Sequence, residues 1–154
     1  MTELQPQRTE YLSEFSNAMW SWEKDPLLRT TGTVMFLLDR LPDRSLVMRR
    51  MERLSRIVPG FRHRLVRPPF GLATPRWVID PDFDLSYHVQ WLDAPEPKTL
   101  DTVLEYARKS AMSGLDMGRP PWTITIVGGL DDGRAVMIYK MHHATMDGGG
   151  LSQM

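Results

Sequence analysis

Arg134-Ala135-Val136-Met137-Ile138-Tyr139-Lys140-Met141-His142-His143-Ala144-Thr145-Met146-Asp147-Gly148-Gly149-Gly150 is the stretch from which the architecture is read. Its first part, Arg134 to Met141, is rich in aliphatic and aromatic residues and reads as a strand. Side chains of a strand alternate between faces. Val136, Ile138, Lys140 and His142 therefore point one way, and Met137, Tyr139, Met141 and His143 the other. The strand runs into two adjacent histidines, an aspartate and three glycines, the densest polar constellation in the chain. A histidine titrates near neutral pH and can take and return a proton. Asp147 is close enough in sequence to fold back and brace the loop. The glycines permit backbone angles and close approaches that other residues resist. The stretch reads as a catalytic base on a strand-to-loop junction.

Strand alternation sharpens this. If the strand stays extended, the two histidines cannot enter one pocket: one faces the site and the other is structural. Chelation by one strand wants ligands at i and i+2, so no metal site is expected. A serine-type triad lacks its Gly-x-Ser-x-Gly elbow, and no cysteine is present to act as nucleophile. Gly148-Gly149-Gly150 lacks the spacing and lysine of a phosphate-cradling loop. Two readings of the residues stay open: a histidine base that activates an external nucleophile, with Asp147 as organiser, and a buried histidine pair beside a glycine-rich turn.

The preceding chain alternates helices and strands. Residues 1–10 are polar and are expected to form a flexible N-terminus. Leu12, Phe15, Met19 and Trp22 recur at helical spacing, and Pro26 ends that helix. Trp20 falls off the stripe and reads as a surface aromatic. Thr30 to Leu38 reads as a buried strand. Pro42-Asp43 opens a helix with Val47, Met51, Leu54 and Val58 on one face, widened by Met48 and Ile57. Arg49, Arg50, Arg53 and Arg56 form its solvated face, and Pro59-Gly60 stops it. Strands follow at Phe61 to Val66, Trp77 to Ile79 and Leu85 to Leu92, the last carrying a structural His88. Lys98 to Met112 is a helix closed by Gly114. Thr123 to Val127 and Arg134 to Met141 are strands joined by a hairpin-like loop from Gly128 to Gly133. This order predicts an α/β or α+β fold with a mixed sheet flanked by helices.

The chain has 154 residues, enough for one core, and its 42% hydrophobic and 25% charged residues are ordinary for a globular domain. A formal net charge of zero argues against nucleic acid as a partner. Cysteine is absent, which excludes a disulfide scaffold and fits a reducing cytoplasm. The first residues show no basic segment followed by an apolar one, so no signal peptide is expected. Val34 to Leu38, the longest apolar run, is too short to span a membrane. Eleven methionines read as adaptable core filling.

His142-His143-Ala144-Thr145-Met146-Asp147-Gly148 resembles the His-His-x-x-x-Asp-Gly signature of an acyltransferase superfamily. That superfamily includes condensation domains of nonribosomal peptide synthetases, chloramphenicol acetyltransferase-like enzymes and bacterial wax ester synthase/diacylglycerol acyltransferases. The likeness is greatest to the last. Gly118-Arg119-Pro120-Pro121-Trp122 is similar to that family's Arg-Pro-Leu-Trp segment, with proline in place of leucine. Asp25-Pro26, and Arg53 to Arg64 with Val58-Pro59 and Phe61-Arg62, also resemble its N-terminal region. Where many members carry an aspartate early in the first helix, this chain has Ser16 or Asn17.

The resemblance implies a chloramphenicol acetyltransferase-like lobe over residues 11–154 and an O-acyltransferase activity. Acyl-CoA would be a co-substrate rather than a bound cofactor, and a long-chain alcohol or diacylglycerol the acceptor, giving wax esters or triacylglycerol. It implies His143 as general base, His142 as support for the loop, and Asp147 paired with an arginine, Arg62 first and Arg64 in reserve. Gly148 would leave room for substrate, and Trp122 would line or brace the site. Family members have two lobes with the site between them, and this chain ends at Met154, just past the signature. A second lobe is therefore expected, on another chain or in the remainder of the same protein. Alternatives are a condensation-type enzyme with a carrier-bound donor, and a non-catalytic binding or assembly lobe. The expected location is cytoplasmic, with peripheral contact to the inner membrane face or lipid droplets through Trp20, Trp22, Leu27 and Leu28.

Overall fold

Strand β6 (Ala135–His142) occupies an inner position in a four-stranded sheet of order β1-β6-β5-β4. It pairs antiparallel with β1 (Thr31–Leu38) on one side and with β5 (Trp122–Gly128) on the other. Strand β4 (Val89–Asp93) lies parallel to β5 and closes the far edge, so the sheet is mixed. A separate two-stranded sheet is formed by β2 (His63–Val66) and β3 (Arg76–Ile79). This computed structural model describes residues 11–69 and 73–147; the expected flexible N-terminus and Gly148 lie outside them.

Helices cover both faces of the large sheet. Helix α4 (Leu100–Met112) starts where the Thr99 hydroxyl accepts the Thr102 amide. It sets Val103 and Ala107 against Val127, Val136 and Ile138, all at most 3% exposed. Burying each of the valines and the isoleucine contributes about 1.5–3 kcal/mol. Helix α2 (Arg44–Ile57), capped by Asp43, packs Val47, Met48 and Met51 on the other face, against Trp122, Ile124, Ile126 and Met141. It stops because Val58, preceding a proline, is extended. Its four arginines are exposed, as their spacing predicts, but so is Ile57, which does not widen the buried face. The β5–β6 connection turns through Gly129 and Gly133, both at positive φ.

Four further expectations need correction. Strand β1 is an edge strand and not a buried one, with Val34, Phe36 and Leu37 about half exposed. Leu85 to Leu92 is not one strand. Asp84 accepts the Ser86 amide and hydroxyl and so starts a helical turn, α3 (Leu85–His88), before β4 begins. Phe61 belongs to a 3₁₀ turn (Pro59–Phe61) rather than to β2, since its amide donates to the Val58 carbonyl at 3.1 Å and so closes the turn. Helix α1 (Glu14–Trp22) is also rotated relative to its apolar stripe. Leu12 and Met19 are buried, but Phe15 and Trp22 are exposed, and the inward face is completed by Ser16 and Trp20. Trp20 is thus a core residue, set edge-on against Trp77 with ring centroids 5.6 Å apart. A cluster of Leu12, Trp20, Leu65, Trp77 and Ala144 ties α1 and the small sheet to the end of β6.

Candidate active site

The two histidines part where β6 ends. The His142 amide donates to the Pro121 carbonyl at 3.0 Å, and the His143 amide to the Thr30 carbonyl at 3.1 Å. The loop is therefore anchored to both flanking segments. His142 turns inward with no exposed surface, whereas His143 is exposed. Neighbouring residues of an extended segment must point apart, and here they do.

The surroundings of His142 define its protonation. Nδ1 accepts the Ala144 amide at 3.0 Å, so the ring proton sits on Nε2. There it meets Thr30 Oγ1 at 3.0 Å and Glu23 Oε2 at 3.5 Å. Trp20 closes the ring from another side, with centroids 4.8 Å apart. Burial pushes the imidazole pKa below its ordinary value; Glu23 opposes that shift and His143 adds to it. A neutral His142 can act as a fixed double hydrogen-bonding brace. By accepting the Ala144 amide it also satisfies a free donor at the start of a helical turn, α5 (Ala144–Asp147). The Thr145 hydroxyl donates to the His142 carbonyl at 2.6 Å and tightens the same turn.

Glu23, which precedes all six strands in the chain and is only 7% exposed, had no signal in the reading of the chain. It follows α1, and its two oxygens accept the Thr30 amide at 3.1 Å and the Thr31 hydroxyl at 3.0 Å. One carboxylate thus holds the start of β1, the strand that pairs with β6 through Thr31 and His142. A polar residue one turn after buried Trp20 and Met19 would have been the only clue.

His143 lies over the open end of β1. A β-carbon placed on Gly32 would stand 3.6 Å from His143 Nε2, so the ring nitrogen faces the space this glycine leaves empty. Gly32 pairs with Met141, and the same strand face continues through Val34 and Phe36, 49% and 45% exposed. An imidazole nitrogen at the head of an accessible apolar strand face can deprotonate a hydroxyl borne on an alkyl chain.

The other expected site residues lie around this centre. Trp122 is 2% exposed; its indole N–H donates to the Phe61 carbonyl at 2.9 Å, and its ring stacks on His88 at 4.5 Å. As placed, it braces β5 beside Met141 rather than opening onto solvent. His88 in turn donates Nδ1–H to the Trp122 carbonyl at 2.7 Å. Arg62 donates to Glu52 and to the Ser55 hydroxyl and covers the Phe83 ring. Arg64 stands 3.6 Å from Asp80. The backbone of Asp147 ends α5, while its side chain, and with it the expected arginine pairing, lies outside what is described. Among the described residues no group of three or more His, Asp or Glu is placed to hold a metal ion, and no helix is long and apolar enough to cross a membrane.

Known proteins bear on this site. Residues 12–154 match the family model of the wax ester synthase/diacylglycerol acyltransferase catalytic domain. A Mycobacterium tuberculosis protein named as a diacylglycerol O-acyltransferase is 39% identical over 149 residues, covering 97% of this chain and 30% of the relative. A Mycobacterium bovis protein of the same designation is 36% identical over 117 residues, covering 76% of this chain and 25% of its own length. The chain therefore spans about a third or less of these relatives. Among solved structures, the wax ester synthase/diacylglycerol acyltransferase of Marinobacter aquaeolei VT8 superposes with a TM-score of 0.70 at 21% identity, over 94% of this chain and 37% of that one. The starter condensation domain of rhizomide synthetase gives 0.71 at 10% identity, over 90% and 34%. These two share the fold.

Proposed function

The chain belongs to the wax ester synthase/diacylglycerol acyltransferase family, and from that premise we propose that it carries the general base of an acyl-CoA-dependent O-acyltransferase. The acceptor is a long-chain alcohol or a diacylglycerol, and the product a wax ester or triacylglycerol. His143 removes the proton of the acceptor hydroxyl as its oxygen attacks the thioester carbonyl. The tetrahedral intermediate collapses by breaking the carbon–sulfur bond, and the imidazolium returns the proton to the departing thiolate. Ester and free coenzyme A result, with no acyl-enzyme.

The observation that carries this reading is the division of labour between the histidines. His142 is buried, neutral and engaged at both nitrogens, so it is poorly placed to exchange protons. His143 is exposed, with Nε2 toward the unfilled space at Gly32. In this reading Asp147 braces the loop by pairing with an arginine, and Gly148 leaves room for substrate beside the base. A second lobe, from the rest of the protein or another chain, stands opposite the exposed apolar side chains of Val34 and Phe36 and closes the site over them. Ester formation by the complete protein tests the assignment. Relative to the parent, His143→Ala should lower kcat by about 10²–10⁴-fold while thermal unfolding stays unchanged. A variant that turns over normally removes His143 as the base.

A further inference from the structure

Gly32 faces the nitrogen assigned as base. A methyl group built in place of its hydrogen would stand 3.6 Å from His143 Nε2 and 3.9 Å from the Met141 carbonyl oxygen. Both are ordinary contact distances, and Gly32 has no backbone angle that demands glycine. The protein itself would therefore accept alanine. What the methyl group would fill is the volume in front of the ring. A hydroxyl must come within about 2.6–3.2 Å of the nitrogen that deprotonates it, and the carbons behind the hydroxyl must occupy that same volume. An unbranched alcohol brings one slender methylene after another. A diacylglycerol brings a methylene joined at once to a branched, ester-bearing carbon.

We propose that Gly32 is a specificity-determining residue: its missing side chain admits branched acceptors of the diacylglycerol kind to His143. A side chain there would bias the enzyme toward unbranched primary alcohols. The proposal rests on His143 as base. Beyond Gly32 the same strand face presents Val34 and Phe36, which a rise of about 3.3 Å per residue places roughly 7 and 13 Å further on. Their cross-strand partners Tyr139 and Met137 are also largely apolar. Alkyl chains of an acceptor docked at Gly32 run along this face.

The test uses the complete protein and one acyl-CoA, with kcat/KM measured for a dialkanoylglycerol and for hexadecanol. Gly32→Ala should lower the value for the diacylglycerol by about tenfold or more, and that for hexadecanol by less than about threefold. Gly32→Val should leave measurable turnover of hexadecanol only. Equal losses for both acceptors, no change in either variant, or a parent enzyme that ignores diacylglycerol would each overturn the proposal. Thermal unfolding of Gly32→Ala separates a folding defect from a changed preference. His143→Ala, assayed in parallel, reports on the base alone: if it abolishes turnover while the acceptor ratio is unmoved by Gly32→Ala, only the specificity proposal fails.

Discussion

Glu23 Oε2 lies 3.5 Å from His142 Nε2, in a corner where both side chains are almost wholly enclosed. The carboxylate also takes the Thr30 amide and the Thr31 hydroxyl. Arg29 approaches it at 3.9 Å. The ring that supports the histidine loop is thus tied to the residues that begin the neighbouring strand. Rigidity of this corner fixes where His143 can point, because the His143 amide itself is held by the Thr30 carbonyl.

Replacing that carboxylate should therefore disturb both stability and turnover. In Glu23→Gln one oxygen remains to accept from Thr30 or Thr31, and the new amide group turns a donor toward other donors. A buried group left unsatisfied costs about 1–3 kcal/mol. Chemical denaturation of the complete protein should show a loss of this size, and ester formation should fall with it. Unaltered stability and kcat in Glu23→Gln would show that the carboxylate does not hold the corner.

Acid should destabilise the fold through two histidines. Burial holds both His88 and His142 below their ordinary pKa, as the largest cause in each case. In the unfolded chain they protonate near pH 6.5. As the pH falls below about 6.5 the unfolded state binds protons first, so stability present above that value is lost until the folded-state pKa is passed. Each histidine contributes a slope of up to about 1.4 kcal/mol per pH unit. His88 is stacked between Phe83 and Trp122, with its Nε2 buried and unpartnered. His88→Phe should cost about 1 kcal/mol at pH 8 through the lost bond to the Trp122 carbonyl, yet flatten the decline in acid. Denaturation midpoints from about pH 8 to 5 check this, and an unchanged slope in the variant sinks it.

Much of this was legible in the chain. Strand alternation through Met141 separated His142 from His143, and that separation is what the structure shows. The helix around Met51 was legible because the apolar periodicity through Val47 and Met51 coincides with the face it packs. Trp20 was misread for the opposite reason. Its helix buries a face chosen by Trp77, Leu65 and His142, none of them nearby in sequence, so the stripe through Phe15 and Trp22 pointed elsewhere. Leu85 to Leu92 was misread because a short apolar run fits a strand or a helical turn equally, and the Asp84 side chain decides. Glu23 and Gly32 were invisible because their places beside the two histidines arise from pairing between β1 and β6, which no local pattern encodes.

Peripheral contact with lipid should depend on three residues rather than four. Trp22, Leu27 and Leu28 are 46%, 89% and 53% exposed at the end of α1 and in the turn after it, whereas Trp20 is buried. Interfacial binding needs apolar side chains free to enter the headgroup region. Serine at all three positions should abolish co-flotation of the complete protein with anionic phospholipid vesicles and leave its melting temperature within a few degrees. Trp20→Ser should instead unfold the protein more easily, at a cost of about 3–5 kcal/mol. Equal flotation of parent and triple variant would remove this surface as the contact.

Lys140 offers a test of how the sheet and α4 are joined. It is 4% exposed in β6, on the face it shares with Ile138 and His142. Its Nζ donates to the Ser110 and Ser113 carbonyls at 2.6 Å and to the Ser113 hydroxyl at 2.8 Å. Ser110 lies in the last turn of α4 and Ser113 is its C-cap, so the ammonium sits at the negative end of the helix dipole; the Ser110 carbonyl also accepts the Ser113 amide at 3.1 Å and the Ser113 hydroxyl at 2.7 Å. Arg29 adds a second cation there, donating to the Met112 carbonyl. Burial lowers the Lys140 pKa, and the ring of acceptors is what makes an enclosed ammonium tolerable. Lys140→Met keeps the length and apolar stem but strips the donors. Hydrogen bonds to a charged group contribute about 1.5–3 kcal/mol, and a stability loss of that order should appear in chemical denaturation. Amide exchange should quicken in the last turn of α4 and remain slow at Ile124 to Val127. Because Lys140 and His143 project to opposite faces, KM for either substrate should not change. A shifted KM with intact stability would mean that this lysine serves the site and not the helix.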